Sequence, residues 1–399
     1  MPTSNTRIEH DLLGDLAVPT RLTQQELLMF THPGASRRAL VSFTLVCLAG
    51  TTAVAQQRSA NGTVAPAFDP ALPTVVVLAT GGTIAGAAGS DVQSGYTSGQ
   101  VGVDQLLAAV PQAKKLANLR GEQIANIGSQ DMNDEVWIKL ATRVNELLAM
   151  PDVSGVVITH GTDTIEETAF FLNLVVKSGK PVVMTASMRP STALSADGPL
   201  NFYNAVAVAA NKQANNRGVM VVINDWIHGA GSLTKTSTTA VQTFMSPLSG
   251  LLGTVAYGDI EWFRSPIGKN TTTSDFSVTK STVLPRVDVI MATENMDGVL
   301  IDASAAAGAK GIVIAGVGNG NMTAPAINAL AAQARKGVVA VRSSRVTTGQ
   351  VGRNVEVKDD SLNFVASLGL NPQKARVLLR LALLQTRDPA KIQRYFDEY

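Results

Sequence analysis

Two short loops in this chain of 399 residues combine glycine with hydroxyl and carboxylate side chains. They are residues 80–83 (TGGT) and residues 160–164 (HGTDT), and each follows a short apolar run. Because glycine has no Cβ, the backbone can turn tightly there and present its N–H groups to an anion or an oxyanion. A threonine hydroxyl can attack a carbonyl carbon once another group accepts its proton. The loops therefore indicate nucleophilic chemistry, with glycine turns capped by threonine as the alternative interpretation.

His160 is one candidate for the group that accepts the threonine proton, and Asp163 strengthens the case for chemistry at the second loop. A lone histidine at the end of a buried strand is also typical of a hydrogen-bonded core residue, so both interpretations stay open. The sequence contains no G-x-S-x-G motif. A serine nucleophile of the α/β-hydrolase type is therefore disfavoured.

A third glycine-rich loop, residues 316–321 (GVGNGN), follows the apolar run 311–315. It is similar to a dinucleotide-binding loop, but Asn321 occupies the place of the third glycine, so the G-x-G-x-x-G spacing fails. A nicotinamide-dependent dehydrogenase is the alternative among enzyme classes. No G-x-x-x-x-G-K-[ST] phosphate loop occurs, and we predict that the protein uses no cofactor.

The charged residues and the cysteine content exclude several classes of function. Lysine and arginine number 33 against 31 aspartates and glutamates, and no basic run occurs, so we expect no nucleic-acid partner. The four histidines are isolated along the chain, and we predict no metal site. Cys47 is the only cysteine and lies in a segment that we expect to be removed. The mature chain would then have neither a cysteine nucleophile nor a disulfide.

The N-terminal region has the pattern of a secretory signal peptide. Arg37 and Arg38 precede the apolar run 39–49, and a small-x-small cleavage site ends at Ala55. We hypothesise that Met29 is the true translation start, because a signal peptide does not ordinarily begin 36 residues late. A buried helix is the alternative, since the run is too short to span a bilayer. We expect a periplasmic or secreted protein, cleaved near Ala55 and not bound to a membrane in its mature form.

After the predicted signal peptide (1–55) and a flexible leader (56–72), short apolar runs alternate with amphipathic stretches. The predicted buried strands are 75–79, 155–159, 181–186, 219–223, 287–292, 311–315 and 338–341, and the predicted helices include 134–150, 165–176 and 199–210. This alternation predicts an α/β fold with a mostly parallel sheet flanked by helices. Between Phe263 and Pro285 the pattern stops. We therefore predict two domains, a larger N-terminal one (73–263) and a smaller C-terminal α/β domain (286–399), joined by an extended linker (264–285).

Several segments in the same order resemble the bacterial L-asparaginases, and more widely the type II, exported asparaginase and glutaminase-asparaginase family. The resemblance extends from about residue 73 to residue 399. Its segments are residues 78–86 (LATGGTIAG), 126–134 (NIGSQDMND), 159–164 (THGTDT), 188–199 (MRPSTALSADGP), 316–321 (GVGNGN), 341–346 (VRSSRV) and 370–377 (LNPQKARV). It implies an amidohydrolase that converts L-asparagine to L-aspartate and ammonia through a threonine nucleophile.

The resemblance also implies roles for single residues of the reaction centre. Thr83 is similar to the nucleophile, and Tyr96, on a mobile lid at residues 87–99, would hydrogen-bond to it. Thr162, Asp163 and Lys235 are similar to the family's second triad, in which the lysine and the aspartate assist proton transfer. Thr162 would hold the attacking water or the oxyanion, and the order in which the two threonines act stays open. Taken alone, Lys235 is typical of a solvated surface lysine.

Further residues are implied to bind the substrate. Ser129 and Gln130 would hold its α-carboxylate and α-ammonium groups, and Asp163 would pair with the ammonium. Asn321 and Glu356 match residues that enter the site from a neighbouring subunit, which implies a homotetramer with shared active sites. Glu356 lies between two valines, so it could equally be an outward-facing strand residue.

The substrate and the class of protein each have an alternative. Asn321 stands where glutaminase-leaning relatives often carry serine, which favours asparagine over glutamine. A glutaminase-asparaginase with comparable use of glutamine is the alternative substrate assignment. Outside the enzymes, the alternative is a non-catalytic exported amino-acid receptor, although binding alone requires neither the threonine pair nor the lysine.

Overall fold

The computed structural model describes residues 6–11, 14–19, 68–88, 96–97 and 102–399, with backbone only for 6–11, 14–19, 87–88 and 96–97. The chain divides into two compact units, Met1–Ala65 and Pro66–Tyr399. In the first unit, strands β1 (Thr6–Asp11) and β2 (Gly14–Pro19) form an antiparallel hairpin. The predicted start, signal peptide and cleavage site, and residues 56–67 of the predicted leader, lie outside the described residues.

The elements of the second unit alternate between strands and helices along most of its length. Its strands are β3 (Thr74–Gly81), β4 (Ala87–Ala88), β5 (Tyr96–Thr97), β6 (Asn118–Ile127), β7 (Gly155–Thr159), β8 (Val182–Thr185), β9 (Val219–Ile223), β10 (Trp226–Gly229), β11 (Thr234–Lys235), β12 (Phe244–Met245), β13 (Gly253–Ala256), β14 (Asp259–Trp262), β15 (Val287–Met291), β16 (Gly311–Gly316), β17 (Val339–Ser344) and β18 (Phe364–Ala366). Its helices are α1 (Val103–Ala109), α2 (Asp134–Ala149), α3 (Ile165–Val175), α4 (Gly198–Ala210), α5 (Val299–Ala306), α6 (Ala324–Arg335), α7 (Asp359–Leu362), α8 (Pro372–Ala382) and α9 (Pro389–Glu398).

The larger sheet has eight strands in the order β14-β13-β10-β9-β8-β7-β3-β6. Neighbours from β9 to β6 are parallel, whereas β10, β13 and β14 extend one edge as antiparallel strands. Side chains of β3 alternate between the faces, with Val75 and Val77 packing beside α1 and α4 and Val76 and Leu78 packing beside α2 and α3. Because helices cover both faces, the central strands are apolar at successive positions.

The smaller sheet has four parallel strands in the order β15-β16-β17-β18. One face packs against α5 and α6 through residues such as Ile301 and Leu330. The other face packs against α8 and α9, and this cluster continues into the core beside α2 and α3 of the larger sheet. The predicted fold class is confirmed: a larger, mostly parallel α/β sheet is followed by a smaller α/β sheet.

Two expectations about the strands need correction or addition. Residues 287–292 were predicted as a strand buried on both faces, but β15 is an edge strand, and Val289 and Met291 are 39% and 62% exposed. Strand β6 was not predicted, because its sequence alternates and includes charged residues such as Arg120 and Glu122. Strand β6 is an edge strand of the larger sheet, opposite β14, and charged side chains can remain in water there.

The segment predicted as an extended linker contains no α-helix or strand among residues 264–285, only a 3₁₀ turn at Thr271–Thr273. It is nevertheless packed, since Phe276 is buried against the rings of Tyr395 and Tyr399. Lys269 also forms an ion pair with Glu398 at 2.6 Å. The segment therefore packs against helix α9 and the C-terminal Tyr399. Within the described parts of the chain, no helix combines the length and apolarity that crossing a membrane requires.

Candidate active site

Three loops meet at the carboxyl ends of the adjacent parallel strands β6, β3 and β7. Their closest approaches occur at glycines. A Cβ added to Gly82 would lie 2.4 Å from Cα of Gly161, and a Cβ added to Gly161 would lie 2.5 Å from Oγ of Ser129. Gly82 also has φ of 82°, in the region that favours glycine. The predicted glycine loops therefore lie backbone against backbone, which brings together the turns that carry Thr83 and Thr162.

Thr83 begins the 3₁₀ turn Thr83–Ala85 that follows β3. Thr83 is only 4% exposed, and it follows a strand that is buried throughout. The preceding Thr80 donates its hydroxyl to the carbonyl oxygen of Thr159 at 3.0 Å, which joins the ends of β3 and β7. Thr83, which the resemblance predicts as the nucleophile, therefore lies on a turn directly after Gly81 and Gly82, at the end of a buried strand.

Lys235, Thr162 and Asp163 form one hydrogen-bonded cluster beside these loops. Lys235 Nζ donates to Thr162 Oγ1 at 3.0 Å and to Asp163 Oδ1 at 2.7 Å. The Lys235 side chain is only 18% exposed, whereas the Asp163 side chain is 59% exposed. The residue type alone suggested a solvated surface lysine, and the structure shows that Lys235 is not one. The ammonium touches a hydroxyl and a carboxylate at once, which is an arrangement able to move protons.

Ser129 and Gln130 occupy the 3₁₀ turn Ser129–Asp131 after β6. Ser129 is 5% exposed; its Oγ accepts a hydrogen bond from the backbone N–H of Asp163 at 3.2 Å, and its carbonyl oxygen accepts one from the Thr164 hydroxyl at 2.7 Å. Gln130 is exposed, and its amide folds back over Gly128, where an added Cβ would lie 2.4 Å from Gln130 Nε2. Both predicted substrate-binding residues therefore lie beside the threonine–aspartate loop.

His160 has the surroundings of a core residue. It is completely buried, its Nδ1 lies 2.8 Å from the carbonyl oxygen of Gly161, and its Nε2 has no hydrogen-bond partner among the described residues. Burial lowers the pKa of His160 to about 4, although the contact with Gly161 opposes this shift. The imidazole is therefore neutral near pH 7. Its described contacts favour the core interpretation over that of a proton acceptor for the threonines.

Asn321 and Glu356 form a second cluster, in the C-terminal part of the chain. Asn321 Nδ2 donates to Glu356 Oε2 at 2.5 Å. Glu356 lies in a bend rather than in a strand, so the interpretation as an outward-facing strand residue is wrong. The loop at 316–321 closes on itself through two backbone hydrogen bonds between Val317 and Asn321. The side chains of Asn321 and Glu356 bond to each other. Among the described residues, neither side chain forms a hydrogen bond with the loops around Thr162.

The predicted lid is described only in part. The backbones of Ala88 and Tyr96 are paired in the short antiparallel strands β4 and β5. The Tyr96 side chain and most of residues 87–99 lie outside the described residues, so the predicted contact between Tyr96 and Thr83 stays a prediction. Among the residues whose side chains are described, no group of three histidine, cysteine, aspartate or glutamate side chains could hold a metal ion.

Residues 74–268 match the family model described as Asparaginase, N-terminal, and residues 286–396 match the one described as Glutaminase/Asparaginase C-terminal domain. The chain belongs to the asparaginase family. A probable periplasmic L-asparaginase of Haemophilus influenzae is 54% identical over 82% of this chain and 93% of that protein. A glutaminase-asparaginase of Acinetobacter glutaminasificans is 48% identical over 82% of this chain and 99% of its own length.

A solved structure supports the same assignment. It is described as a probable cytoplasmic L-asparaginase from Campylobacter jejuni, with a TM-score of 0.80 and 48% identity over 82% of this chain and 100% of that chain. As a member of the asparaginase family, the protein is an amidohydrolase, and the predicted resemblance is confirmed. The dehydrogenase and receptor alternatives are set aside.

One structural feature around the Asn321–Glu356 pair was not predicted from the sequence. Arg342, on β17, is 1% exposed and forms two hydrogen bonds with the carboxylate of Asp359, at 2.6 and 2.7 Å. The same guanidinium donates to the carbonyl oxygens of Asn319 and Gly352, both at 3.0 Å. It thereby fixes the two loops that carry the Asn321–Glu356 pair in this asparaginase-family chain. An arginine directly after the apolar residues 338–341 was a signal that could have revealed it, because a charge in a buried strand requires a partner.

Proposed function

We propose that the protein hydrolyses the side-chain amide of L-asparagine to L-aspartate and ammonia, with Thr83 as the nucleophile. The single observation that carries this proposal is the convergence of three glycine-bearing loops and Lys235 at the carboxyl ends of β6, β3 and β7. Buried threonines, a carboxylate and an ammonium lie there together. The names of the relatives, L-asparaginase and glutaminase-asparaginase, agree with this substrate class.

In the proposed reaction, the Thr83 oxygen forms a bond with the side-chain carbonyl carbon of the substrate. The hydroxyl proton passes to the cluster formed by Lys235, Asp163 and Thr162, the carbon–nitrogen bond breaks, and the nitrogen leaves as ammonia with that proton. Water then attacks the resulting ester, which releases L-aspartate and regenerates the threonine hydroxyl. Main-chain N–H groups of the glycine loops and the Thr162 hydroxyl are the candidate donors to the oxyanion.

The same cluster offers groups for both charges of a free amino acid. The exposed Asp163 carboxylate uses one oxygen for Lys235 and can direct the other to the α-ammonium of the substrate. Ser129 and Gln130, on the neighbouring turn, provide a hydroxyl and an amide for the α-carboxylate. Because both charges are bound beside the scissile amide, asparagine within a protein, which lacks them, would be rejected.

Ammonia release by the purified protein tests the nucleophile. We expect Thr83→Ala to abolish turnover of asparagine, Thr83→Ser to retain part of it, and Thr162→Val to lower it strongly. Thr279→Ala, which alters an exposed threonine of the linker, is the matched control and should leave turnover unchanged. Rapid quenching followed by peptide mass spectrometry should find an aspartyl ester on the peptide that contains Thr83. Full activity of Thr83→Ala, or an ester on Thr162 in its place, would contradict the assignment.

We propose that asparagine is preferred over glutamine, which the presence of Asn321 favours. One methylene group changes discrimination by about 1–3 kcal/mol. The ratio of kcat/KM for the two amides measures the preference directly. Equal values would instead assign the protein to the glutaminase-asparaginases in activity.

We also propose a homotetramer in which Asn321 and Glu356 complete the site of a neighbouring subunit. Two features support this: the side chains of the pair bond to each other, and Val355, the neighbour of Glu356 in sequence, is 59% exposed. Exposed apolar residues beside a polar pair are typical of an interface. Mixing inactive Thr83→Ala chains with inactive Glu356→Ala chains after reversible dissociation should restore part of the activity. An active monomer, or no recovery on mixing, would contradict shared sites.

Export is proposed from the charged, apolar and small-residue pattern that ends at Ala55. The Haemophilus influenzae relative is named periplasmic, whereas the Campylobacter jejuni structure is described as cytoplasmic. Cell fractionation with N-terminal sequencing of the mature protein distinguishes the two compartments. A mature chain that retains residues 1–28 would contradict both cleavage and the start at Met29.

A further inference from the structure

A buried lysine of the C-terminal region contacts the loop that presents Lys235. Lys374 lies in the first turn of α8, is 2% exposed, and donates through Nζ to the carbonyl oxygens of Gly231, at 3.2 Å, and Leu233. These carbonyls lie four and two positions before Lys235, between strands β10 and β11. An ammonium bonded to both of them restricts the path of the backbone into β11.

A buried carboxylate connects the same helix to the loop of Thr162 and Asp163. Glu166, in the first turn of α3, is 6% exposed and lies three positions after Asp163. It accepts hydrogen bonds from Gln373 Nε2 at 2.6 Å and from Asn371 Nδ2 at 3.2 Å, and one of its oxygens lies 3.9 Å from Lys374 Nζ. The start of α8 therefore contacts both segments that carry the cluster around Lys235.

Burying the ammonium of Lys374 is electrostatically unfavourable, so its contacts with the backbone need an explanation. Burial lowers the pKa of Lys374 to about 8, and the negative charge of Glu166 opposes that shift. A buried ion pair is often no more stable than apolar residues of similar volume. A methionine of similar length would avoid the desolvation of an ammonium, but it would leave the carbonyl oxygens of Gly231 and Leu233 and the buried carboxylate of Glu166 without this partner. Retaining a buried ammonium here is explained by what it binds, which is the backbone that leads to Lys235.

We infer that Lys374 and Glu166 are positioning residues that set the separation between Lys235 and the Thr162–Asp163 loop, an inference that rests on the proposed function of Lys235. The C-terminal domain thereby supports the active site of its own chain through α8. This role is separate from that of Asn321 and Glu356, which are proposed to serve a neighbouring chain. Lys374 need not touch the substrate, because it acts through Lys235.

A double-mutant cycle on kcat tests this inference. We expect Lys374→Met to lower kcat roughly 10- to 100-fold, because small displacements of catalytic groups have effects of that size. KM should change by less than about threefold, since the substrate contacts of Ser129 and Gln130 are retained. In a Lys235→Met background the same substitution should lower the residual kcat by less than about twofold, because the group that it positions is absent.

The conservative variant and a matched control separate positioning from general damage. Lys374→Arg keeps the charge and the donors and should recover part of the lost kcat, whereas a purely volumetric effect would make the larger arginine worse. Lys180→Met is the control, because Lys180 Nζ also donates to a backbone carbonyl, that of Met150 at 2.7 Å, away from the site. It should leave kcat unchanged. If Lys374→Met does not fold, Glu166→Gln enters the same cycle, with an expected decrease of roughly 3- to 10-fold.

The outcomes separate this inference from the proposed function. If Lys235→Met itself retains full turnover, the proposed role of Lys235 fails. Lys235→Met can also impair turnover while the Lys374 or Glu166 substitution lowers kcat by the same factor in that background as in the unsubstituted protein. In that case only the positioning inference is overturned. If Lys235→Met has no measurable turnover, a crystal structure of Lys374→Met or Glu166→Gln decides the matter. The distance from Lys235 Nζ to Asp163 Oδ1 should increase beyond 2.7 Å, and an unchanged distance would overturn the inference.

Discussion

Two charged clusters of the second unit differ in burial, and the difference distinguishes a group that can contact a substrate from one that only fixes the backbone. The Lys235–Asp163 pair is 18% and 59% exposed, whereas the Arg342–Asp359 pair is 1% and 0% exposed. An exposed carboxylate can reach a substrate and exchange protons with it. A fully buried pair can do neither, but it can fix the backbone around it, as Arg342 does at Asn319 and Gly352.

The comparison also shows how each cluster depends on its own scaffold. Around Lys235, the loops approach through glycines, so the substrate can lie close to backbone N–H groups. Around Arg342, the backbone is held by a side chain that occupies the interior of the loop cluster. We therefore expect substitutions in the first cluster to change catalysis with little effect on stability, and substitutions in the second to change stability first.

The largest expected effect is on turnover, at the exposed cluster. Asp163→Asn and Lys235→Met should lower kcat by roughly 10²- to 10⁴-fold, because they remove the groups that we propose to transfer protons. Their free energy of unfolding should change by only about 0–1 kcal/mol, since a partly exposed ion pair contributes little to stability. Asp152→Asn is the matched control: Asp152 pairs with Arg120 at 2.6 Å, and their side chains are 51% and 48% exposed. Ammonia release and thermal unfolding would measure both quantities, and near-normal turnover in Asp163→Asn would break the comparison.

The second effect is on stability, at the buried pair. Arg342→Met leaves the Asp359 carboxylate buried without its partner, and should lower the free energy of unfolding by about 3–5 kcal/mol. The double variant Arg342→Met/Asp359→Asn should recover part of that loss, because the unpaired charge is gone. Arg353→Met, which removes the partner of the exposed Asp360 in the same region, should have no measurable effect on the free energy of unfolding, because a solvent-exposed ion pair contributes little to stability. Denaturant unfolding monitored by fluorescence would test the series, and equal losses for Arg342 and Arg353 would refute it.

The elements that the sequence predicted well are those with a single dominant signal. Apolar runs buried on both faces, such as β7 and β9, appear at the predicted residues because neither face offers water to a polar side chain. Edge strands escaped or misled the prediction, since β6 and β15 combine a buried and an exposed face. Within the site, glycine followed by threonine marked the loops directly, because the close approach of backbones requires glycine.

Residues that act through long-range contacts could not be predicted in the same way. Arg342 and Asp359 are 17 positions apart, and Glu166 and Gln373 are 207 apart, so their pairing depends on how the sheets assemble. Lys374 illustrates the difficulty, because a lysine in the first turn of a helix is typical of a solvated side chain until the opposite surface is known. Its burial results from the packing of α8 against α3, and this long-range contact cannot be predicted from the local sequence.

The smallest of the three effects is on the pH dependence of the free energy of unfolding. It arises at the larger sheet, where two histidines are buried. His160 directly follows β7 and His228 lies in β10, and both are fully buried. Burial lowers their pKa values to about 4 and about 3, and the charge of Lys374 adds to the shift of His228. In the unfolded chain each imidazole gains a proton below about pH 6.5, while the folded chain resists protonation until much lower pH. Their contribution to stability is therefore complete above pH 6.5 and is lost as pH falls toward 4.

Between pH 7 and pH 5, linkage assigns each histidine a loss of about 2 kcal/mol in the free energy of unfolding. His160→Gln should therefore lose about 2 kcal/mol less than the unsubstituted protein over this interval, whatever its stability at pH 7. Arg353→Met, which removes no histidine, should retain the full dependence. Denaturant titrations at the two pH values would measure the difference. An unchanged slope in His160→Gln would show that the imidazole titrates equally in both states, and would place the acid sensitivity outside the region beside β7.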